Sequence, residues 1–211
     1  PGQGGALMAS MGMVFDLKRC IGCNACVVAC KQENSLPDGV FFTRTLSEEY
    51  GAYPVVKRIY IPTLCNHCED APCEKACPSG ATYTREDGIV MIDGDICIGC
   101  GACAVACPYD ARTQLGKDTL TRGLYGEGEL TPFEEAGYDR YEAGTMVKCD
   151  FCSQRVDAGL DPACVVTCPT DARIFGDLDD PNSKPSKLIR DRKGRVPLAE
   201  KNTKPKVYYV D

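Results

Sequence analysis

Sixteen cysteines in 211 residues fall into four groups of four with none left over. The first group is Cys20, Cys23, Cys26 and Cys30, spaced C-x2-C-x2-C-x3-C. The third, Cys97, Cys100, Cys103 and Cys107, repeats that spacing and the word CIGC. The second, Cys65, Cys68, Cys73 and Cys77, has four residues in its middle gap, and the fourth, Cys149, Cys152, Cys164 and Cys168, has eleven. Every group opens with C-x2-C and closes with C-x3-C, and three of them finish on Cys-Pro, in CPSGAT, CPYDAR and CPTDAR. A repeat that fixes this many residues governs the fold.

The spacing has a chemical reason. A tight C-x2-C-x2-C loop curls three thiolates around one face of a cubane cluster, and glycines such as Gly22 and Gly99 let the backbone pass close. The fourth cysteine lies about one helical turn beyond the third. It faces a different site, as in two-cluster ferredoxins, where it ligates the other cluster. A following proline ends the turn. Disulfides do not require such phasing, because cysteines two apart seldom pair. Structural zinc prefers two C-x2-C pairs per site, which the second and fourth groups tolerate and the three-cysteine runs do not. A c-type haem needs C-x-x-C-H, and no such string occurs. Four [4Fe–4S] clusters account for all sixteen ligands. With every ligand position filled by cysteine, no open iron remains for catalysis, so the chain is expected to move electrons without being an enzyme itself.

Charge and hydropathy narrow the partners. The net charge is −6, yet residues 184–211 carry nine Lys and Arg against three Asp and Glu. A basic tail on an acidic body suits an acidic partner, anionic lipid, or a segment wrapped on its own domain. Nucleic acid is a poor fit, since no recognition motif accompanies the tail. No stretch of 18 apolar residues exists, so no transmembrane segment is expected. The first residues, PGQGGALMASMGMVFDLKRC, do not read as a signal peptide; export would rest on a partner or on a signal already removed.

Short strands are predicted before the regular groups: MVFDL at 13–17, and a hairpin in ATYTREDGIVMID at 81–93 turning at Asp87-Gly88. Residues 113–148 carry six glycines and little periodicity, and read as a long partner-facing loop. His67, the only histidine, reads as a satisfied side chain near the surface rather than a ligand or proton relay. Lys18, Arg19, Lys31, Arg112, Lys148, Arg155 and Arg173 lie beside cysteines. Any that approach a cluster raise its potential, although solvated charge is the default for each.

The strings CIGC, CNHCEDAPC, CPSGA, REDGIV, CIGCGAC and CPYDAR resemble the four-cluster iron–sulfur (beta) subunit of the molybdopterin, or dimethyl sulfoxide reductase, oxidoreductase family. The likeness runs from residue 13 to about 183 and covers all sixteen cysteines. YIPTLCNHCEDAPC, LDPACVVTCP and GDLDDPNSK resemble the small subunits of respiratory arsenate, tetrathionate and polysulfide reductases. The resemblance implies an α+β fold of two nested ferredoxin-like [4Fe–4S] domains with short strands, short helices and long loops. An outer domain would span 13–64 plus 149–183 and an inner one 65–112, with an insertion at 113–148 and a basic C-terminal tail at 184–211. It also implies that Cys20, Cys23, Cys26 and Cys168 share one cluster, and Cys149, Cys152, Cys164 and Cys30 a second. Cys65, Cys68, Cys73 and Cys107 would share a third, and Cys97, Cys100, Cys103 and Cys77 a fourth.

The function implied is electron transfer between a molybdenum or tungsten bis-pterin catalytic subunit, near the Cys20 cluster, and a quinone-reactive membrane subunit or soluble carrier such as a cytochrome, near the Cys97 cluster. The complex would sit on the periplasmic face by co-export, or in the cytoplasm. A free polyferredoxin shuttle, or the equivalent subunit of a hydrogenase or formate dehydrogenase, are the alternatives. A zinc-stapled module without redox function remains open at this point, and it would be colourless.

Overall fold

The structure, a computed structural model, describes residues 9–123 and 129–211. Its one three-stranded sheet is built on β1 (Met11–Asp16), the predicted strand before the first cysteine group. β1 runs antiparallel to β8 (Arg173–Asp177), with Phe15 opposite Arg173, and parallel to β9 (Val207–Val210), with Phe15 opposite Tyr209. A central strand is covered on both faces, and Met13, Val14 and Phe15 are fully buried. The Phe15 and Tyr209 rings sit 5.3 Å apart, and the Tyr209 hydroxyl donates to the Pro62 carbonyl at 2.7 Å.

That sheet corrects the expectation of a basic tail. Residues 184–211 are a folded closing segment. They hold α7 (Lys184–Asp191), capped by Ser183, a short 3₁₀ turn (Ala199–Lys201) and the buried strand β9. Much of the positive charge is matched within the chain: Arg192 grips Asp16, and Lys204 meets Glu69 at 2.8 Å. Of the readings the sequence allowed, the segment wrapped on its own acidic body fits.

The hairpin predicted around Asp87-Gly88 is present. β4 (Thr82–Thr84) pairs antiparallel with β5 (Val90–Ile92), and Gly88 donates to the Arg85 carbonyl at 2.9 Å to close the turn. A longer hairpin has no counterpart in the sequence reading. β2 (Thr43–Ala52) and β3 (Val55–Leu64) pair over their whole length, with a buried base at Thr43 and Leu64 and an exposed tip at Tyr53 and Val55. The run VVKRIYIPTL, rich in β-branched residues, is its signal.

Four helices carry the third cysteine of each group, and only α1 extends over the fourth. α2 (Pro72–Lys75), α3 (Ala102–Ala106) and α6 (Ala163–Val166) stop within two residues of a Cys-Pro pair, at four or five residues each. α1 (Ala25–Glu33) has Lys31 where the others have proline, and runs on for nine. α1 packs against α6, and α2 against α3. Between Arg112 and Cys149 the expected plain loop instead contains β6 (Thr113–Gln114) paired with β7 (Met146–Val147), and α4 (Pro132–Tyr138) with a Thr131–Glu134 capping box. Leu115, Tyr138 and Met146 anchor it in the body, while residues 124–128 of the expected partner-facing stretch lie outside the described residues. Among the described residues no helix is long and apolar enough to cross a membrane.

Candidate metal centres

The cysteine loops depend on left-handed backbone. Gly22, Asn24, Gly99 and Gly101 all have φ between +60° and +73°, turning each C-x2-C-x2-C run back on itself. What approaches the two CIGC glycines is other protein. A Cβ on Gly22 would stand 2.3 Å from the Tyr60 ring, and one on Gly99 would stand 2.1 Å from the Gly144 carbonyl oxygen. Gly101 has open space around it. Gly99→Ala, facing backbone at a positive φ, is therefore expected to cost one cluster, about a quarter of the bound iron. Gly101→Ala is expected to lose only about 1 kcal/mol and no iron; iron analysis and thermal melting of the pair check this.

The thiols assemble across the sequence. Cys20, Cys23 and Cys26 line a pocket together with Cys168. Cys97, Cys100 and Cys103 line another with Cys77. Deeper in, Cys30 lies within electrostatic reach of Cys164 and Cys152, and Cys68 of Cys65, Cys73 and Cys107. Among the described residues no three of His, Cys, Asp or Glu converge on the position of a single ion. With Cys168 beside the first loop and Cys77 beside the third, each pocket has four sulfurs, the donor count a four-iron cluster takes.

The protein prepares these sulfurs for negative charge at the edges and withholds water at the centre. Ala172 N–H points at Cys168 Sγ at 3.3 Å, and Thr82 N–H at Cys77 Sγ at 3.5 Å, each just past a Cys-Pro. Burial pushes the Cys77 thiol up, but the Thr82 and Ser79 hydrogen bonds outweigh it and bring it down to about 7. In the interior nothing offsets burial to that degree. Cys68 and Cys152 are pushed up to about 11, and Cys149 goes well above its ordinary value. Metal loading of the inner thiols must therefore expel protons.

The orphaned polar atoms fit occupied centres. Arg112 donates from Nη1 to Thr82 Oγ1 at 3.0 Å while its Nη2, buried, has no partner. Arg173 does the same in the other half: Nη2 donates to Thr43 Oγ1 at 3.0 Å and Nη1 is left bare. Burial works against both charges, but cysteine thiolates around them prevail and hold each pKa above its usual value. These free N–H groups face cysteines whose bound clusters would accept them.

Two expectations about side chains need correcting. His67 is fully buried, not near the surface. Its Nδ1 accepts the Val90 N–H at 3.1 Å, its Nε2 has no partner, and its ring stacks on Phe151 at 3.7 Å. Burial and then the nearby Lys148, Lys206 and Arg112 push its pKa well below the ordinary value, so the imidazole is neutral with its proton on Nε2. The short gap between Cys65 and Cys68 draws the ring inward, against the loop between Cys149 and Cys152. Solvated charge also fails as the default for three cations, because Arg112, Lys148 and Arg173 are all buried. Lys18 and Arg19 do remain exposed, and Arg155 pairs with Glu33 at 3.2 Å.

Comparison with known proteins adds a family. The 4Fe-4S dicluster domain matches residues 56–122 and 128–178, and a second 4Fe-4S dicluster domain matches 19–81. A Halobacterium salinarum protein, whose name makes it the iron–sulfur subunit of a dimethyl sulfoxide reductase, is 46% identical over 97% of this chain and 80% of its own. The arsenate respiratory reductase iron–sulfur subunit of a Shewanella species is 42% identical over 95% of both chains. A tetrathionate reductase subunit of Salmonella typhimurium is 38% identical over 94% of this chain and 71% of its own.

Proposed function

The chain belongs to the 4Fe-4S dicluster family of reductase iron–sulfur subunits, and from that premise we propose the path it provides and the partners it serves. It is a non-catalytic electron-transfer subunit that holds four [4Fe–4S] clusters. The clusters sit in two nested dicluster domains. Cys20, Cys23, Cys26 and Cys168 hold the first, and Cys149, Cys152, Cys164 and Cys30 the second. Cys65, Cys68, Cys73 and Cys107 hold the third, and Cys97, Cys100, Cys103 and Cys77 the fourth. The observation that carries this reading is the exchange of closing cysteines: Cys168 lies beside the first group's loop and Cys77 beside the third's.

Bound clusters supply one-electron redox chemistry. The polypeptide fixes where they sit and what surrounds them. Cys23 and Cys100 are the two exposed ligands, and they belong to the first and fourth sets. They put the ends of the path at the surface, where a partner can exchange electrons without entering the chain. Cys30, Cys149, Cys152 and Cys164 are all buried, as are Cys65, Cys68 and Cys73, so the middle of the path is dry. The partner at the Cys23 end is a molybdenum- or tungsten-pterin catalytic subunit. The partner at the Cys100 end is a quinone-linked membrane subunit or a soluble carrier, in a complex on the periplasmic face or in the cytoplasm.

Metal analysis of the native complex, purified anaerobically through this chain, tests the reading. The expected result is about 16 iron atoms per copy beyond those of the partner, with about one molybdenum or tungsten. Full iron with no partner and no molybdenum or tungsten would overturn it in favour of a free shuttle, and nickel in place of either would point to a hydrogenase-type partner.

A further inference from the structure

Arg173, Lys148 and Arg112 are only 3%, 5% and 6% exposed, and among the described residues none of them enters an ion pair. Buried charge without a counter-charge is costly enough that its partner must be sought. We infer that these three side chains are a row of fixed positive charges, one in each gap between successive clusters, that raises the potentials of both clusters it separates. The inference rests on the ligand sets proposed above.

The neighbours of each cation place it. Arg173 lies within electrostatic reach of Cys164 and Cys26, then of Cys149, which belong to the second and first sets. Its guanidinium also lies over the Phe15 ring, 4.8 Å from the centroid, so packing fixes it between the two. Arg112 reaches Cys73 and Cys103, then Cys65, which belong to the third and fourth sets. Both arginines come from the same repeat: CPYDAR closes the third group and CPTDAR the fourth. The repeat supplies two gaps and leaves the middle one without an arginine.

Lys148 fills that middle gap from outside the repeat. It precedes Cys149 of the second set and is close enough to Cys73 of the third to act on its charge. Its Nζ donates to the Cys149 carbonyl at 2.8 Å and to the carbonyl of Val90, on the hairpin that feeds the third group. Two carbonyls orient an ammonium but cannot neutralise it. The junction itself is tight, since Cys149 also feels the charge of Cys65. His67, next to these residues, is neutral and supplies no counter-charge. Asp150 also acts on Cys149 but forms no ion pair with Lys148, so the remaining negative charge at this junction comes from the thiolate-held clusters on either side.

The placement has a consequence for transfer. Each electron added to a buried cluster is a charge in a medium of low dielectric. A cation at one end of a path would deepen one site into a trap. A cation between two sites stabilises the electron on both, so it makes reduction easier without tilting the step.

The test is an EPR-monitored redox titration of the intact complex carrying Lys148→Gln, Arg112→Gln or Arg173→Gln. At a fixed ambient potential Lys148→Gln should lower the reduced-to-oxidised ratio of the two inner clusters at least tenfold, about 59 mV, and leave the outer two in place. Arg112→Gln should move the third and fourth clusters and Arg173→Gln the first and second. Lys148→Arg, Arg112→Lys and Arg173→Lys should hold wild-type potentials. Four loaded clusters with unmoved potentials, or one equal shift across all four, would overturn the inference. If a glutamine variant loses iron, retention of iron and potential by its charge-conserving counterpart supports the inference, and loss in both refutes it. Cys20→Ser and Cys168→Ser disturbing different signals would instead refute the underlying ligand sets.

Discussion

Removing iron from the complex with a strong chelator is expected to unfold most of this chain, with loss of far-UV circular dichroism and of protease resistance together. The usual apolar core is thin. Cys30, Cys65, Cys149 and Cys164 are packed in the same core as Met13, Phe15, Leu36 and Ile89, so the cysteines proposed as ligands are core residues themselves. Emptied, each centre leaves a cavity lined by thiols. Arg112, Lys148 and Arg173, which form no ion pair among the described residues, would lose the charge of the clusters beside them. The effective penalty for a buried unpaired ion is several kcal/mol, and three of them rival the roughly 5–15 kcal/mol that stabilises a typical domain. Relaxation toward water is the escape, and it opens the packing around the buried cysteines. Refolding should then require iron and sulfide, because cluster binding is part of the folding free energy. An apoprotein that kept native-like dichroism and resisted proteolysis would show that β1, β8 and β9 sustain the fold alone.

Loss of a single closing ligand is the second large effect. Cys168→Ser is expected to perturb the same EPR signal as Cys20→Ser, although 147 residues separate them in the chain and Cys168 belongs to the fourth group by sequence. Cys30→Ser should match Cys149→Ser in the same way. The reason is spatial: Cys168 shares a cavity with Cys20, Cys23 and Cys26, and the Asn34 side chain donates toward both Cys30 and Cys152 sulfurs, at 3.6 and 3.9 Å. Each substitution should remove or convert one cluster, lowering iron by one to four atoms of about 16. It should also cut turnover of the complex through the chain by at least about tenfold, since a path in series is broken by any missing site. If Cys168→Ser moved the Cys149 signal, the ligand sets would have to be redrawn along the sequence groups.

The cysteine spacing by itself pointed to the chemistry, four groups of four for four [4Fe–4S] clusters, and to three short helices that stop at a Cys-Pro pair. It also anticipated β1 and the β4–β5 hairpin, because a strand feeding a cysteine loop and a DG turn are local signals. Local signals end there. The β2–β3 hairpin is written in the β-branched run of 55–64, yet the cysteine pattern beside it is so strong that it hides the weaker strand signal. Residues 184–211 resemble a solvated tail because their charge is local information, whereas the partners of that charge, Asp16 and Glu69, lie far along the chain. The environments of His67, Arg112, Lys148 and Arg173 were decided only by the tertiary structure. Sequence gives a side chain's charge, but its counter-charge and its distance from water depend on segments brought together from across the chain. In this protein those distances separate a solvated lysine from a buried cation among the cysteines.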